Sequence, residues 1–389
     1  MRLLHFAETG EVVGGVERYL AALLAGGGAA SGIEHAVVTH AAGPCAYAGP
    51  WPATSWPWMA PRTSAPAGPA TVDAVPIFHA PPSPAAIAAL GRAAFAVFCH
   101  DHRWWCPSGT RFYLRPERPC DIRAGTVSCG LRYHVLRCGS IRPGPTVQGF
   151  VRAAVGREAM AQAAVVLCAS EFMAREAVRH GAQANRVHVA PLPVTMPVDA
   201  PPPPAAGTPL VLSASRLTPE KGVEQLLDAF GRMRTDARLV LAGGGILERR
   251  VADVVAVHEH RDRITLAGQL SDAALRALFA EARVVAVPSV WPEPFGLVGI
   301  EALAWGRPVV SSGAGGSASW SRAELGVLTA DPFDSDAFAT ALDRVLTEPV
   351  WSERARSTGA AWARARHGLD SHVAALTAAL APLAAPQAA

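Results

Sequence analysis

Nowhere in the 389 residues is there an apolar run of about 18, the length a helix needs to cross a bilayer. No transmembrane segment is therefore expected. No stretch of five to eight residues is dominated by Lys and Arg, and the formal net charge is only +3. The electrostatic footprint of a nucleic-acid binder is thus missing. The near balance of charge leaves room for a weak preference for anionic ligands or a peripheral contact with a membrane surface. Charged residues make up 17% of the chain, against roughly 25% in a typical globular domain. The apolar run in Met1–Glu8 is too short for a secretory leader and reads better as a first strand, so a cytosolic protein is expected. Tight Cys-x-x-Cys pairs are also lacking among the seven cysteines. A disulfide framework is not expected in that compartment.

What is present is a large apolar inventory, half of all residues, in a chain long enough for two or three domains. Strand-like and helix-like segments alternate, which predicts parallel sheets with crossover helices, an α/β chain. In the first half, strands are predicted at Arg2–Phe6, Glu34–Thr39, Phe95–Cys99 and Val165–Cys168. Helices are predicted at Gly15–Leu24, Gln148–Ala163 and Glu171–His180. Ser170 is placed to cap the last of these and Gly181 to end it. Residues 43–84 show no clear period, and residues 100–145 read as a long irregular insertion. Four consecutive prolines, Pro201 to Pro204, favour a stiff extended connector and mark a domain boundary. A second series follows, with strands near 210–214, 238–242, 263–266, 284–287 and 308–311, then an Ala-rich helical tail. Two such halves imply an intervening cleft.

The most informative segment is Glu293-Pro294-Phe295-Gly296-Leu297-Val298-Gly299-Ile300-Glu301. The apolar run Val284–Val287 before it predicts a buried strand, and Leu297–Trp305 predicts a helix. Glu293 then lies in the loop at the strand's carboxyl end, where open α/β sheets bind ligands. Glu301 lies about one turn into the helix, whose N-terminus is a natural phosphate site. Upstream, Arg216 and Lys221 flank a strand-to-helix turn, and both cations could reach one diphosphate. Taken alone they read better as solvated surface cations. Leu241-Ala242-Gly243-Gly244-Gly245 ends another strand in a glycine turn, weak evidence alone. Gly306-Arg307-Pro308-Val309-Val310 and Gly313-Ala314-Gly315-Gly316 follow.

These residues together resemble the donor-binding half of the family 4 glycosyltransferases, nearly continuously over residues 209–330. The resembling text is Ser-Arg-Leu…Glu-Lys-Gly, Ala-Gly-Gly-Gly, Leu-Ala-Gly-Gln-Leu-Ser, Pro-Ser…Pro-Glu-Pro-Phe-Gly-Leu…Glu-Ala-Leu-Ala and Gly-Arg-Pro-Val-Val. The resemblance implies the GT-B fold, two Rossmann-like domains facing each other across a cleft. Residues 1–196 would be the acceptor-side domain with the insertion, and 197–208 the linker. Residues 209–350 would bind a nucleotide-sugar donor, a UDP-, GDP- or ADP-sugar. The tail 351–389 could pack back on the N-terminal domain. By analogy Arg216 and Lys221 bind the diphosphate, and Glu301 accepts from the ribose hydroxyls. Glu293 faces the transferred sugar, with the N–H groups of Phe295, Gly296 and Leu297 near sugar and phosphate. Gln269 and Leu270 face the base. Gly14 and Gly15, after the first strand, match a family Gly-Gly that approaches the donor phosphate. His100 matches the histidine that contacts the donor sugar in the reaction centre. The resemblance further implies transfer with retention, by front-side attack in which the leaving diphosphate takes the acceptor's proton. No catalytic metal is demanded.

A subset of that family has a similar His-Asp-x-x-x-x-Cys-Pro-x-Gly start, here His100 to Gly109, with later cysteines. Cys106, Cys120, Cys129 and Cys138 are open to three readings: a structural zinc, disulfides, or unlinked buried thiols. His102 and His134 are further candidate ligands. The insertion and Trp51, Trp56 and Trp58 would border the acceptor. The chain departs from the family where an acidic residue often follows the last Gly-Gly: Ser317 to Trp320 stand there instead. Ser215 also replaces the glycine that commonly precedes Arg-Leu. Two alternatives accompany the glycosyltransferase reading: another GT-B enzyme such as a nucleotide-sugar epimerase, and a non-catalytic sugar-nucleotide-binding protein.

Overall fold

A computed structural model of the chain describes residues 1–7, 15–26, 33–39, 46–48, 74–90, 93–197 and 207–384. Gly14, Cys45, the three tryptophans Trp51, Trp56 and Trp58, and the four-proline run lie outside the described residues. The chain forms two compact units. One comprises Met1–Arg111, Asp121–Pro193 and Leu369–Ala389, and the other Phe112–Cys120 and Val194–Gly368.

In chain order the strands up to the boundary are β1 (Arg2–Ala7), β2 (Glu34–Thr39), β3 (Ala46–Ala48), β4 (Val75–Phe78) and β5 (Ala96–Cys99). After them come the hairpin β6 (Phe112–Leu114) and β7 (Glu117–Pro119), then β8 (Val165–Cys168) and β9 (Val187–Val189). The first unit's sheet has the order β3-β2-β1-β4-β5-β8-β9. All neighbours are parallel except the short antiparallel β2–β3 pair. Every residue of β4, β5 and β8 is buried, as in a parallel sheet covered on both faces. The helices are α1 (Gly15–Gly26), α2 (Pro84–Ala89), α3 (Val127–Val135), α4 (Pro143–Gln162) and α5 (Glu171–Arg179). Ser170 caps α5, its Oγ accepting from the Met173 N–H at 3.2 Å, and Gly181 at φ +116° ends it.

The expectation of an irregular stretch over 100–145 is corrected. It holds a 3-10 turn at His102–Trp104, the β6–β7 hairpin and α3, and α4 begins at Pro143 rather than Gln148. The signals are weak for physical reasons. The strands have three residues each, and α3 turns Val127, Leu131 and Val135 to solvent instead of a core. The hairpin also groups with the second unit although its flanks belong to the first. β4 escaped the sequence reading because its centre is Pro76, a residue that normally argues against a central strand.

The second unit carries β10 (Leu210–Ala214), β11 (Arg238–Ala242), β12 (Ile264–Gly268), β13 (Val284–Val287), β14 (Val309–Ser311) and β15 (Val327–Thr329), all parallel. Their order is β12-β11-β10-β13-β14-β15. The order reverses between β10 and β13, the topological switch point at which open α/β sheets bind ligands. The helices are α6 (Val223–Gly231), α7 (Glu248–Val257), α8 (Asp272–Glu281), α9 (Leu297–Ala304), α10 (Ser335–Thr347), α11 (Pro349–Arg354) and α12 (Ala360–His367). Arg307 is buried and donates to the carbonyls of Phe279 (2.9 Å) and Ala280 (2.8 Å), closing the last turn of α8. Burial, followed by the charges of Arg356 and Arg283, pushes its pKa down to about 10. The Gly-Arg-Pro motif is thus a helix cap. The final helix, α13 (Leu369–Ala384), belongs to the first unit, where His372 Nε2 lies 3.0 Å from the Tyr19 hydroxyl.

Candidate functional site

Four loops at the carboxyl ends of β10, β11, β13 and β14 are tied together by their backbones. The Leu217 N–H donates to the Gly244 carbonyl at 2.9 Å, and the Val290 N–H to the Glu220 carbonyl at 3.0 Å. Glu293 and Gly315 form a parallel bridge, and the Gly316 N–H donates to the Glu293 carbonyl at 2.6 Å. Gly315, at φ +68°, is required here: a Cβ would lie 2.5 Å from that same carbonyl oxygen.

Within this frame Lys221 and Glu293, 72 residues apart in sequence, form an ion pair of 2.5 Å. The Ser289 hydroxyl donates to the same carboxylate oxygen at 2.7 Å. The Lys221 ammonium stands 4.9 Å from the centre of the Trp291 ring, within cation–π range. Burial by itself pushes the Glu293 carboxyl up. Lys221 outweighs it by charge and hydrogen bond, joined by hydrogen bonds from Ser289 and Trp291, and the net pKa is lowered. Glu293 is therefore a buried, ionised carboxylate. Phe112 of the hairpin packs against Val290 and Trp291, so the cysteine-bearing insertion supports this site from within the same unit.

The other expected donor residues lie in both units, those of the second in loops at strand ends or at the start of α9. Arg216 is 65% exposed at its side chain and only 3.5 Å from Glu220, a contact that leaves it able to turn. Gly296 adopts φ +80° and opens α9 without a side-chain cap, so the N–H groups of the first turn point into the loop region. Leu297 begins the helix, and Glu301 is half-buried one turn along. Phe295 is buried, its carbonyl accepting from the Trp320 indole N–H at 2.7 Å. Gln269 is exposed and Leu270 half-buried just after β12, where the Gly243 N–H reaches the Gly268 carbonyl at 2.8 Å. In the first unit, Gly15 opens α1. His100 follows β5, buried, with Nε2 2.7 Å from His79 Nδ1. Burial, then the charges of His372, Arg103 and His5, lowers its pKa to about 3.

Three supports were not singled out from sequence. Ser289 and Trp291 flank the motif in Pro-Ser-Val-Trp-Pro-Glu, and their nearness to Glu293 was the available signal. Trp320 fills the place next to the missing acidic residue. Its ring is fully buried against Gly299, where a Cβ would sit 2.2 Å from it. The departure after Gly316 is thus a packing anchor that fixes the start of α9.

The zinc reading of the cysteines has no support among the described residues. Among the described residues no group of three or more His, Cys, Asp or Glu is arranged to hold a metal ion. Cys106 and Cys129 are buried in the first unit's apolar core. Cys120 lies in the second unit, donating to the Tyr113 hydroxyl at 3.3 Å. Cys138 donates to the Arg132 carbonyl at 3.8 Å. All four are thiols.

Known proteins resemble this chain in both sequence and fold. The family model of the glycosyl transferases group 1 matches residues 199–362. An uncharacterized glycosyltransferase of Methanocaldococcus jannaschii is 36% identical over 141 residues, covering 36% of each chain. A D-inositol 3-phosphate glycosyltransferase of Xylanimonas cellulosilytica is 31% identical over 301 residues, covering 71% of this chain and 70% of the relative. The matched length thus ranges from about a third to 70% of these two relatives. In fold, the chain superposes on the Anabaena protein HepE, crystallised with UDP-glucose. The TM-score is 0.65 at 18% identity, over 98% of this chain and all of that one. The chain belongs to the glycosyl transferases group 1 family, and by that membership it is a glycosyltransferase of GT-B fold.

Proposed function

We propose that the protein transfers a sugar from a nucleotide-sugar donor to a hydroxyl acceptor with retention of configuration. The observation that carries this is the Lys221–Glu293 pair at the sheet's switch point, with the uncapped start of α9 and the exposed cation of Arg216 in the neighbouring loops. Lys221 and Arg216 would take the diphosphate, Glu301 the ribose, and Gln269 and Leu270 the base. The N–H groups of Phe295, Gly296 and Leu297 would meet phosphate and sugar, as would Gly14 and Gly15. Glu293 would accept from hydroxyls of the transferred sugar, the sugar to which the resemblance also assigns His100. A carboxylate oxygen already taken by Lys221 and Ser289 is a poor nucleophile, which favours front-side attack over a covalent intermediate. The bond from the anomeric carbon to the diphosphate breaks as the acceptor oxygen bonds to that carbon, and the acceptor proton passes to the leaving phosphate. The protein supplies fixed charge and position.

A panel of UDP, GDP, ADP and dTDP tests the donor site by thermal shift. A nucleotide at 100 times its Kd is expected to stabilise the protein by about 2.7 kcal/mol. Release of the same nucleotide from its sugar conjugates, faster with an acceptor present, then reports transfer. No shift with any member of the panel would overturn the reading.

A specific observation extends the reading to a membrane-associated acceptor. Among the described residues no helix is long and apolar enough to cross a membrane. Yet α3 leaves Val127, Leu131 and Val135 85%, 68% and 74% exposed at helical spacing, and Ile141, Val147 and Val151 are exposed nearby. Between Ile122 and Arg157 there are six arginines and no Asp or Glu. An apolar stripe among cations fits an anionic lipid surface, where each arginine contributes about 1 kcal/mol. The protein is expected to sediment with anionic vesicles and not with neutral phosphatidylcholine. Leu131→Glu with Val135→Glu should abolish sedimentation while leaving the nucleotide shift intact.

A further inference from the structure

Four adjacent strands of the first unit's sheet, in the order β2-β1-β4-β5, each bring one histidine to a single row. His35 lies in β2, His5 in β1, His79 directly after β4, and His100 directly after β5. All four are buried. Successive rings are 5.3, 5.1 and 5.0 Å apart and nearly parallel, close to the spacing of the strands that carry them. They are also hydrogen-bonded in single file. His35 Nδ1 meets His5 Nε2 at 3.0 Å, His5 Nδ1 meets His79 Nε2 at 2.9 Å, and His79 Nδ1 meets His100 Nε2 at 2.7 Å. At the end of the row, His100 Nδ1 is buried and has no hydrogen-bond partner among the described residues.

A neutral imidazole has one N–H and one bare nitrogen. Each junction needs one of each, and every junction joins a δ nitrogen to an ε nitrogen. The four neutral rings can therefore satisfy all three junctions only if all carry the proton on Nε2, or all on Nδ1. We infer that His35, His5 and His79 act on His100 as a hydrogen-bonded chain, whose common tautomer decides whether His100 Nδ1 accepts from or donates to a substrate hydroxyl. This rests on the sugar-contacting role proposed for His100. In the all-Nε2 state His100 Nδ1 is bare and accepts; in the all-Nδ1 state it carries the proton and donates. The row is neutral in both states. Burial favours the neutral rings, lowering the pKa of both His5 and His79. The surroundings add little to choose between the two states. Tyr19 of α1 packs on His79 and His100, and His372 of α13 is turned to the Tyr19 hydroxyl. Arg103 is held by Asp101 at 2.7 Å. His5, His35 and His79 are thus positioning residues.

Nitrogen-15 NMR of the histidine-labelled full-length protein distinguishes the two neutral tautomers and the cation at each ring. We expect one tautomer shared by all four rings at neutral pH. His5→Gln offers His79 either an amide oxygen or an amide N–H, so it removes the dictated direction. The His100 signal, two junctions away, should become a mixture of tautomers, and turnover should fall roughly tenfold with the donor KM retained. Different tautomers among the four rings of the unsubstituted protein would overturn the chain, as would an unchanged His100 signal in a folded His5→Gln protein. The NMR outcome does not depend on transfer, so a protein that moves no sugar would count against the donor reading alone.

Discussion

Alanine at Lys221 is expected to abolish most sugar transfer, by about 10²–10³-fold in kcat, and to destabilise the second unit by about 3 kcal/mol. The two losses have different origins. The first is the missing cation opposite the leaving diphosphate. The second is Glu293, which stays buried after its partner has gone. They separate on a double variant, Lys221→Met with Glu293→Gln, in which no buried charge remains. That protein should melt near the original temperature and still fail to transfer. A second signature is the pH slope. In the intact pair the Glu293 pKa is lowered, so its contribution to stability is present above the ordinary glutamate value of about 4.3 and lost as pH falls through the folded-state value. Without Lys221 only the smaller effects of Ser289 and Trp291 oppose burial, the largest cause, and the slope reverses: stability should grow as pH falls from neutral toward about 4.3. Urea melts of both proteins between pH 3 and 7 read the sign directly. If Lys221→Ala kept its turnover, the mechanism would be wrong.

The partners of that pair were legible because each lies in a motif whose offset places it at a strand end, where a parallel sheet gathers its loops. The alternation of strand and helix was legible, but the strand order, its switch point and the meeting of Lys221 and Glu293 across 72 residues came only with the fold. What stayed hidden had no local pattern. Ser289 and Trp291 matter through a side-chain direction that only the folded loop sets. Phe112 reaches them from a three-residue strand in a segment that looked irregular. The histidine row is invisible for a sharper reason: its neighbouring members are 21 to 74 residues apart, one per strand, and only the order β2-β1-β4-β5 brings them together. The cysteines illustrate the reverse case. Their clustering in sequence suggested one site, but the chain folds Cys120 into one unit and the other three into the other.

The glycine turn after β11, weak as a motif, is expected to be among the positions least tolerant of change. Gly243 and Gly268 stand at the ends of neighbouring strands, joined by the 2.8 Å hydrogen bond from the Gly243 N–H to the Gly268 carbonyl. Both have positive φ, +129° and +63°, but their surroundings differ. A Cβ on Gly268 would meet nothing within 4 Å. Gly268→Ala therefore carries only the left-handed backbone cost, about 1–2 kcal/mol. A Cβ on Gly243 would lie 2.0 Å from the Ser215 carbonyl oxygen and 2.9 Å from its carbon, at a φ no alanine adopts comfortably. Backbone cannot turn aside as a flexible side chain can, so the 215–217 loop must move. Gly243→Ala should cost at least about 3 kcal/mol. The displaced segment carries Arg216, and a shift of about 1 Å in a positioned group can cost 10²-fold. The nucleotide thermal shift should accordingly vanish in Gly243→Ala and persist in Gly268→Ala, although both substitutions add one methyl group beside the same hydrogen bond. Equal behaviour of the two would mean that close packing of the β10 and β11 loops does not hold Arg216 in place.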